Sequence, residues 1–346
     1  MWDPRNYSDT DFGLTADVRF EPEDADARDD LDLSLPHIMT VLGPIDPDEL
    51  GTCMHHEHIL CDPVAITARD PNFRLDRIDL ASEELESFFT VGGRSMVDMS
   101  SPDYGRDLQG LRTIAQRVPV NIIAVSGRHA HIHASRMDRA LDGGALEAEI
   151  WSDIKSAVKP GVISFGTSLH QITPVEAVAA RAAARVAVSA GYPVSTHTTA
   201  GTMAHGQLDL IENEGLDPGR VIIGHLDQHL DTAYLLEIAR RGAWLSFDQI
   251  GNMPPGTDES KAAMLVELAE AGYGAQLLVS EGLTRKSGLV AYGGRPGWIH
   301  LLERFTLTLM EAGAGADMVR TVLIDNPARA LTIVPRQTDN QPVPRV

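Results

Sequence analysis

The sequence is poor in cysteine, with only Cys53 and Cys61 among its 346 residues. An extended segment joining these two positions would span roughly 26 Å. A disulfide needs two Cα atoms within about 7 Å, so we expect both cysteines to be free thiols. So little cysteine without a disulfide is typical of a reducing compartment, and we expect a cytoplasmic protein.

Long apolar runs and an excess of basic residues are also missing. No apolar run approaches the roughly 18 residues that a membrane helix requires, and the first residues, MWDPRNYSDTDF, lack the basic start and apolar core of a signal peptide. The formal net charge is −20, whereas nucleic-acid partners need clustered Lys and Arg. We therefore expect a small-molecule substrate and neither a nucleic-acid nor a membrane partner.

A regular alternation begins at Ile38. Short runs rich in Val and Ile alternate with longer stretches of helical period, which is typical of βα units around a parallel sheet. Residues 1–37 are polar and acidic, and residues 336–346 have the composition of a tail. We predict one folded body over 38–335, with an acidic extension before it and a tail after it.

Eight of the apolar runs have the length and composition of strands. Their expected last residues are, in chain order, His58, Ser100, Ser126, Ser164, His197, His225, Asp248 and Glu281. Eight strands in βα alternation predict an α/β fold of the (β/α)8 TIM-barrel class, with roughly 250 residues plus extensions. An open doubly wound sheet is the alternative, but no Gly-rich phosphate loop follows an early strand.

The first of these strands ends in CMHHEHIL, residues 53–60. On a regular strand, successive side chains alternate between the two faces. His56 and His58 should therefore face one side, and His55 and Glu57 the other. Two imidazoles on one face can chelate a single ion.

Two later strands also end in histidine, His197 in YPVSTHTTAG and His225 in RVIIGHLDQH. Barrel enzymes place their chemistry at the C-terminal ends of the strands, where these side chains would meet the first pair. The spacing therefore predicts a metal site formed by four histidines: His56, His58, His197 and His225.

These segments, taken in order, resemble the phosphotriesterase-like group of the amidohydrolase superfamily. The likeness runs from about residue 38 to residue 334 and rests on several segments together. They are TVLGPIDPDELGTCMHHEHIL, MVDMSSPDYGRDLQGL, ISFGTSLHQITPVE, STHTTAGT, VIIGHLDQH, AYGGRPGW and LIDNPARAL.

The resemblance implies an amidohydrolase-like barrel and a metal-dependent hydrolase. In that group the strand-1 pair, here His56 and His58, binds one divalent ion with an aspartate that ends strand 8. The histidines ending strands 5 and 6, here His197 and His225, bind a second ion. A carboxylated lysine ending strand 4 bridges the ions with a hydroxide that attacks an ester, lactone or phosphotriester. Members are commonly dimers, so the resemblance also implies a homodimer.

Two anionic members of that set are absent from this chain. Ser164 occupies the lysine position in GVISFGTS, and a serine cannot form a carbamate. Gly282 occupies the aspartate position in VSEG, where the neighbouring Glu281 is off by one. A one-residue offset turns a strand side chain to the opposite face unless a bulge turns it back.

The missing anions favour one ion over two. Two divalent ions about 3.7 Å apart repel by roughly 18 kcal/mol at an effective dielectric constant of about 20, and neutral imidazoles offset none of this. Imidazole ligands suit several metals; we predict zinc, with iron, manganese or cobalt as alternatives. Zinc held by three histidines with an open position would lower the pKa of bound water to about 7.

Three residues are candidates for moving the proton. Asp248, in LSFDQIG, is either a proton acceptor or a carboxylate that orients a histidine. Glu281 would act if a bulge turned it inward, and His129, in SGRHAHIH, could serve as an acid or base near neutral pH. The neighbouring His131 and His133 are expected to be loop residues.

Arginines near the expected mouth suggest an anionic group on the substrate. We predict substrate-binding roles for Arg128 after strand 3, and for Arg285 and Arg295 after strand 8. A guanidinium is the side chain best suited to a planar carboxylate or phosphate.

The function expected from all of this is hydrolysis of a lactone or other carboxylic ester by a metal-activated water at an atypical, mononuclear, histidine-rich site. Two alternatives remain open at this point. The barrel could use its metal for elimination, isomerisation or iron-dependent oxidation, or it could be an inactive binding homologue.

Overall fold

The structure is a computed structural model, and it describes residues 31–130, 142–252 and 256–336. Most of the predicted acidic extension and of the predicted tail therefore lies outside the described residues. The division of the chain at residues 38 and 335 stays a prediction.

Eight parallel strands, β3 to β10, form one sheet in which each strand pairs with the next along the chain. The sheet closes on itself, because the backbone N–H of Gly282, just after β10, donates to the carbonyl oxygen of His56 in β3 at 3.1 Å. In chain order, β3 to β10 are Cys53–Glu57, Ser95–Asp98, Asn121–Gly127, Val162–Thr167, Val194–Thr198, Val221–Ile223, Trp244–Phe247 and Leu277–Val279.

Helices follow the strands and cover the outside of the barrel, which confirms the predicted (β/α)8 class. In chain order, α1 to α11 are Val64–Thr67, Ile78–Thr90, Leu108–Ala115, Gly143–Ile154, Pro174–Ala190, Ala204–Asn213, Thr232–Arg240, Asp258–Leu268, Thr306–Glu311, Ala316–Arg320 and Asn326–Leu331. None of the helices in the described ranges is long and apolar enough to cross a membrane.

The longest of these helices, α5, shows how local sequence sets the boundaries. Thr173 accepts a hydrogen bond from the backbone of Glu176, whose side chain bonds back to the backbone N–H of Thr173, and Pro174 stands in the first turn. The helix ends at Ala190 and is capped by Gly191, which has a left-handed φ of 75°. Glycine favours this conformation because it has no Cβ. The chain therefore turns there into β7.

Two apolar layers result from the alternation of side chains along the strands. In β5, Ile123 and Val125 belong to the cluster inside the barrel, whereas Ile122 and Ala124 belong to the cluster that packs against the helices. A hairpin of β1 (Ile38–Thr40) and β2 (Gly43–Ile45) adds Ile38 and Ile45 to the inner cluster. Apolar side chains therefore fill the barrel interior near the hairpin. The polar side chains lie at the other end, where the strands have their C-termini.

The first barrel strand is irregular where its histidines lie. The register of β3 against β4 shifts between Met54 and Glu57, which marks a β-bulge at His55 and His56. Because of this extra residue, two consecutive histidines reach the barrel interior. The predicted alternation is therefore wrong for His55, whereas His56 and His58 share one face and Glu57 lies on the other, as expected.

Both cysteines are buried free thiols, as expected from their separation. The predicted strand ends lie within three residues of the observed ends, since the apolar runs that define them are interior strands with both faces buried.

Candidate metal centre

Six aromatic rings at the C-terminal end of the barrel form a closed chain of neighbours, which we call the six-ring cluster. Successive ring centroids lie 4.4 to 6.3 Å apart. Its members are His56, His58, Tyr104, His129, His197 and His225. The four histidines predicted from three distant parts of the chain are thus brought together.

A small cavity opens among these rings, with a volume of about 10 Å³, which suffices for about one water-sized sphere. Its lining consists of His56, His58, Met99, Arg128, His129, Ser164, Phe165 and His197. The cavity therefore lies where the sequence predicted an ion.

Three buried side chains offer a compact set of ligand atoms. One nitrogen of His56, one of His225 and a carboxylate oxygen of Asp248 all lie within 4.8 Å of one another. The buried Nδ1 atom of His56 stands 3.1 Å from Oδ2 of Asp248. Ligand atoms about 2.1 Å from a tetrahedral ion are about 3.4 Å apart, so this pair has a suitable separation.

Asp248 is the carboxylate of this set and is fully buried. It accepts hydrogen bonds from the backbone N–H of His225 at 3.1 Å and from Ser246, and its Oδ1 lies 2.5 Å from Nδ1 of His225. Burial would raise the pKa of Asp248, but the neighbouring His225 and His56 outweigh it and hold that pKa well below its usual range. Asp248 is therefore an anion at neutral pH.

The partner of this carboxylate, His225, follows β8 in a left-handed conformation with a φ of 59°. Burial would lower the pKa of His225, but the charge of Asp248 raises it above the usual value. The Nε2 atom of His225 lies 2.7 Å from Nδ1 of His197. Asp248, His225 and His197 thus form a continuous hydrogen-bonded row across the barrel mouth.

His58 is held from behind by a hydroxyl group. Its Nδ1 lies 3.0 Å from Oγ of Ser100. A polar partner of this kind fixes the orientation of a ligating imidazole.

The sequence missed His55 as part of the site. Its Nε2 lies 2.7 Å from Oγ of Ser246, which in turn donates to Asp248 at 2.5 Å. Burial lowers the pKa of His55 to about 3, so its ring is neutral. The β3 bulge explains this inward position, and no feature of a single sequence indicates such a bulge.

Glu57, in contrast, faces the outer layer. It accepts hydrogen bonds from the backbone N–H groups of Glu281, Gly282 and Leu283 and from the indole of Trp298. Burial raises the pKa of Glu57 to about 7, although these donors oppose the rise. Its role is to fasten the end of β10 to β3.

Glu281 does not reach the cavity. Its Oε1 accepts the backbone N–H of Leu301 at 2.5 Å in the outer layer, and burial raises its pKa well above the usual value. The possibility that a bulge turns Glu281 inward is not realised, because the bulge lies in β3 instead. Glu281 therefore drops out of the candidate site.

Ser164 and Gly282 take no part in a ligand set. The Ser164 hydroxyl donates to the carbonyl of Ser126 at 3.0 Å and lines the cavity. Gly282 has a φ of +57°, and a Cβ there would lie 2.5 Å from the carbonyl oxygen of Asp248. The backbone at this position excludes the side chain that the resemblance would place there.

His129 lines the cavity and is stacked on Tyr104, with ring centroids 4.9 Å apart. Asp103 accepts the backbone N–H of His129 at 3.0 Å, and Nδ1 of His129 accepts the N–H of Ala130 at 2.7 Å. A neutral His129 ring therefore carries its proton on Nε2. Tyr104, in SSPDYG, was not singled out from the sequence; its position directly after a strand end was the only available signal.

Of the three arginines expected to bind substrate, only Arg128 lines the cavity. The guanidinium of Arg285 lies 4.6 Å above the ring of Phe73, and the Arg295 side chain is exposed on the same loop region. The two histidines expected to be loop residues, His131 and His133, lie outside the described residues.

A buried charge pair supports the loop that follows β9. The ammonium of Lys261 lies 3.6 Å from Asp227 and donates to the carbonyl oxygens of Gln249 and Asn252. Asp227 also accepts the backbone N–H of Gln249 at 2.9 Å. This pair fixes the backbone directly after Asp248.

Comparison with known proteins agrees with this geometry. A family model described as the Phosphotriesterase family matches residues 36–331. The chain belongs to the phosphotriesterase family. The resemblance noted from the sequence is thereby confirmed.

Relatives within the phosphotriesterase family are similar over nearly their whole length. The phosphotriesterase homology protein of Escherichia coli is 30% identical, over 82% of this chain and 98% of its own. An N-acetyltaurine hydrolase of Danio rerio is 27% identical, over 85% of this chain and 97% of its own. The crystal structure of a lactonase from Listeria monocytogenes superposes with a TM-score of 0.83 at 27% identity, over 86% of this chain and 99% of that one.

These names indicate a hydrolase. Phosphotriesterase-like amidohydrolases use divalent metals, and the His56, His225 and Asp248 group of this chain could bind one.

Proposed function

We propose that the protein is a metal-dependent hydrolase of lactones or other carboxylic esters, with a single divalent ion held by His56, His225 and Asp248. The observation that carries this proposal is the buried group of His56, His225 and Asp248, which offers one ligand atom from each residue within 4.8 Å of the others. Two imidazoles and a buried carboxylate close together form a donor set that suits a divalent cation.

The donor set fits zinc better than it fits magnesium or calcium. Two imidazoles and one carboxylate are typical of catalytic zinc sites, which keep a further position open. His58 and His197 line the cavity together with His56 and are the nearest further imidazoles of the site. Iron, manganese and cobalt accept the same ligands and remain alternatives.

A single ion is also what the charges favour. Asp248 supplies one negative charge that the sequence-based prediction did not count, which suits one divalent ion. A second ion about 3.7 Å away would still face roughly 18 kcal/mol of repulsion at an effective dielectric constant of about 20. Neither Ser164 nor Gly282 offers an anion to offset it.

When bound, such an ion supplies the positive charge that makes water nucleophilic at neutral pH and polarises a carbonyl group. The chain itself orients the ligands. Asp248 holds Nδ1 of His225, Ser100 holds Nδ1 of His58, and Ser246 links Asp248 to His55. His129 lines the cavity and is the candidate acid or base of the reaction.

The substrate class rests on the names of relatives. A lactonase and N-acetyltaurine hydrolases are among them, and both names describe attack on a carboxylic acid derivative. Lactones and other esters come first and amides second, because esters have the better leaving group. A homodimer and a cytoplasmic location remain part of the proposal.

The test combines metal content with hydrolysis. The protein is purified with added zinc, analysed for bound metals, and assayed on lactones, aryl esters and N-acyl amides before and after treatment with a chelator. We expect about one zinc ion per chain and lactone hydrolysis that is lost with the metal and restored by zinc. The His56→Ala variant should lose both properties.

Other outcomes would contradict this proposal. Undiminished hydrolysis after treatment with the chelator would show that the reaction does not need a metal. Stoichiometric iron with a visible absorption band and no hydrolysis would favour non-hydrolytic chemistry. Absence of metal after purification with zinc, iron, manganese and cobalt would favour a binding homologue.

A further inference from the structure

The cavity lining carries a positive charge that the proposed hydrolysis does not use. Among the described residues that line it there is one guanidinium, that of Arg128, and no carboxylate. Asp248 lies behind the histidines rather than in the lining. A divalent ion in the site would make the cavity still more positive.

The guanidinium of Arg128 is only partly paired. Its Nη1 donates to the carbonyl of Gly127 at 3.1 Å, and its Nη2 pairs with Glu149. Its Nε, in contrast, is buried and has no hydrogen-bond partner. An unpaired N–H of a buried guanidinium is costly, and it is best satisfied by an oxyanion.

The surroundings of Arg128 weaken its ion pair with Glu149 and would strengthen its hydrogen bond to an oxyanion in the cavity. The Arg128 side chain is 13% exposed, whereas the Glu149 side chain is 47% exposed, so solvent screens the carboxylate of that pair. An oxyanion in the cavity would meet Arg128 in a less solvated place, where charge-assisted hydrogen bonds are stronger.

Resting on the proposed function, we propose that Arg128 binds a planar carboxylate-type oxyanion carried by the substrate, beside Ser164. The small Ser164 side chain, tied back to Ser126, leaves this position to the ligand. The oxyanion would share Arg128 with Glu149 and would be the only carboxylate on the cavity side, since no carboxylate is among the described lining residues. The substrate is then a lactone or ester that also carries a carboxylate near its reacting carbonyl.

The volume of about 10 Å³ limits how the group enters. A cavity of this size holds about one oxygen atom, so the remainder of the carboxylate and of the substrate lies outside it, towards the barrel mouth. This geometry selects a short distance between the carboxylate and the scissile bond.

The experiment compares a five-membered lactone bearing a carboxylate with the same lactone bearing a carboxamide. We expect Arg128→Leu to lower the ratio of kcat/KM values, carboxylate over carboxamide, by about 30- to 100-fold. Arg128→Lys should recover part of the ratio. Arg185→Gln, which removes an exposed guanidinium paired with Glu214, is the control and should leave the ratio unchanged. An unchanged ratio in Arg128→Leu would overturn the proposal.

A binding measurement separates this proposal from the hydrolase proposal. Calorimetric titration with the corresponding lactam carboxylate, pyroglutamate, should give a Kd about 30- to 100-fold weaker for Arg128→Leu than for the wild type, whether or not the protein hydrolyses lactones. Equal Kd values, or no binding to the wild type, would overturn it. Acetate and bicarbonate are titrated in the same way. If they bind as tightly as the lactam carboxylate, the oxyanion that Arg128 binds is a free ion and not part of the substrate.

A second variant covers the case in which Arg128→Leu does not fold. Glu149→Gln removes the competing carboxylate and leaves Arg128 in place. It should bind the lactam carboxylate several-fold more tightly than the wild type does. Unchanged or weaker binding by a folded Glu149→Gln protein would contradict the assigned role of Arg128.

Discussion

Replacement of Gly282 offers the sharpest test of how the end of β10 is built. The resemblance to the family places an aspartate at this position, so Gly282→Asp looks like a repair of the metal site. The structure predicts the opposite. Gly282 has a φ of +57°. A Cβ added there would lie 2.5 Å from the carbonyl oxygen of Asp248 and 2.5 Å from the side-chain nitrogen of Gln249.

The expected cost has two parts. A left-handed backbone costs an L-residue about 1 to 2 kcal/mol, and forcing a Cβ against a backbone oxygen adds about 1 to 3 kcal/mol. Gly282→Ala should therefore lower the free energy of unfolding by about 2 to 5 kcal/mol. Gly282→Asp should lower it at least as much without adding bound metal, because relief of the contact displaces Asp248.

Urea denaturation of the metal-free protein measures this cost. Gly215→Ala is the matched control, since Gly215 has a φ of +83° and a Cβ added there would have no neighbouring atom within 4 Å. Only the backbone part, about 1 to 2 kcal/mol, should appear there. Equal losses for the two alanine variants, or a Gly282→Asp protein that binds two ions, would refute the reasoning.

Three further predictions concern groups behind the cavity. Ser246→Ala removes a hydrogen bond to Asp248 and should weaken zinc binding about 10- to 100-fold. The control, Ser195→Ala, removes a buried hydroxyl without a partner and should leave zinc binding unchanged. Titration in zinc buffers measures both affinities, and equal affinities would contradict the prediction. Burial raises the pKa of Asp98 from 3.8 to about 6, so the ionised folded form is disfavoured. Asp98 should then lower the free energy of unfolding as pH rises through that window, by up to about 1.4 kcal/mol per pH unit. Glu57 and Glu281 add to the slope of the wild type, so Asp98→Asn should make the slope shallower by about that amount; an unchanged slope would contradict the assignment. Lys261→Met leaves the buried carboxylate of Asp227 unpaired. It should lower the free energy of unfolding, measured with urea, by about 3 to 5 kcal/mol. A loss below about 1 kcal/mol would show that the pair behaves as an exposed one.

Much of the barrel was predictable because interior strands of a parallel sheet are continuous apolar runs with polar residues at their ends. Runs such as VIIGH and YPVSTH give both the strand and the position of its terminal histidine. The convergence of the histidines then follows from barrel geometry alone. Helix α5 was equally clear, because its alanines end at a glycine stop.

The remaining features depend on contacts between distant segments. The β3 bulge, which brings His55 inward, arises from pairing with β4 and leaves no local pattern. The place of Asp248 beside His56 depends on closure of the barrel, so the sequence showed its position at the rim but not its neighbours. Arg128, Arg285 and Arg295 looked equivalent in sequence, and only the fold distinguishes the one that lines the cavity.

The central claim is that Asp248 joins His56 and His225 in holding one divalent ion. Zinc content and zinc affinity of the wild type, of Asp248→Asn and of a control Asp217→Asn test it directly; Asp217 is exposed and lies shortly before β8, at the end of the strand opposite to His225. The account predicts about one ion per chain for the wild type and the control, and at least about 10-fold weaker binding for Asp248→Asn. Equal zinc affinity in all three proteins would contradict it.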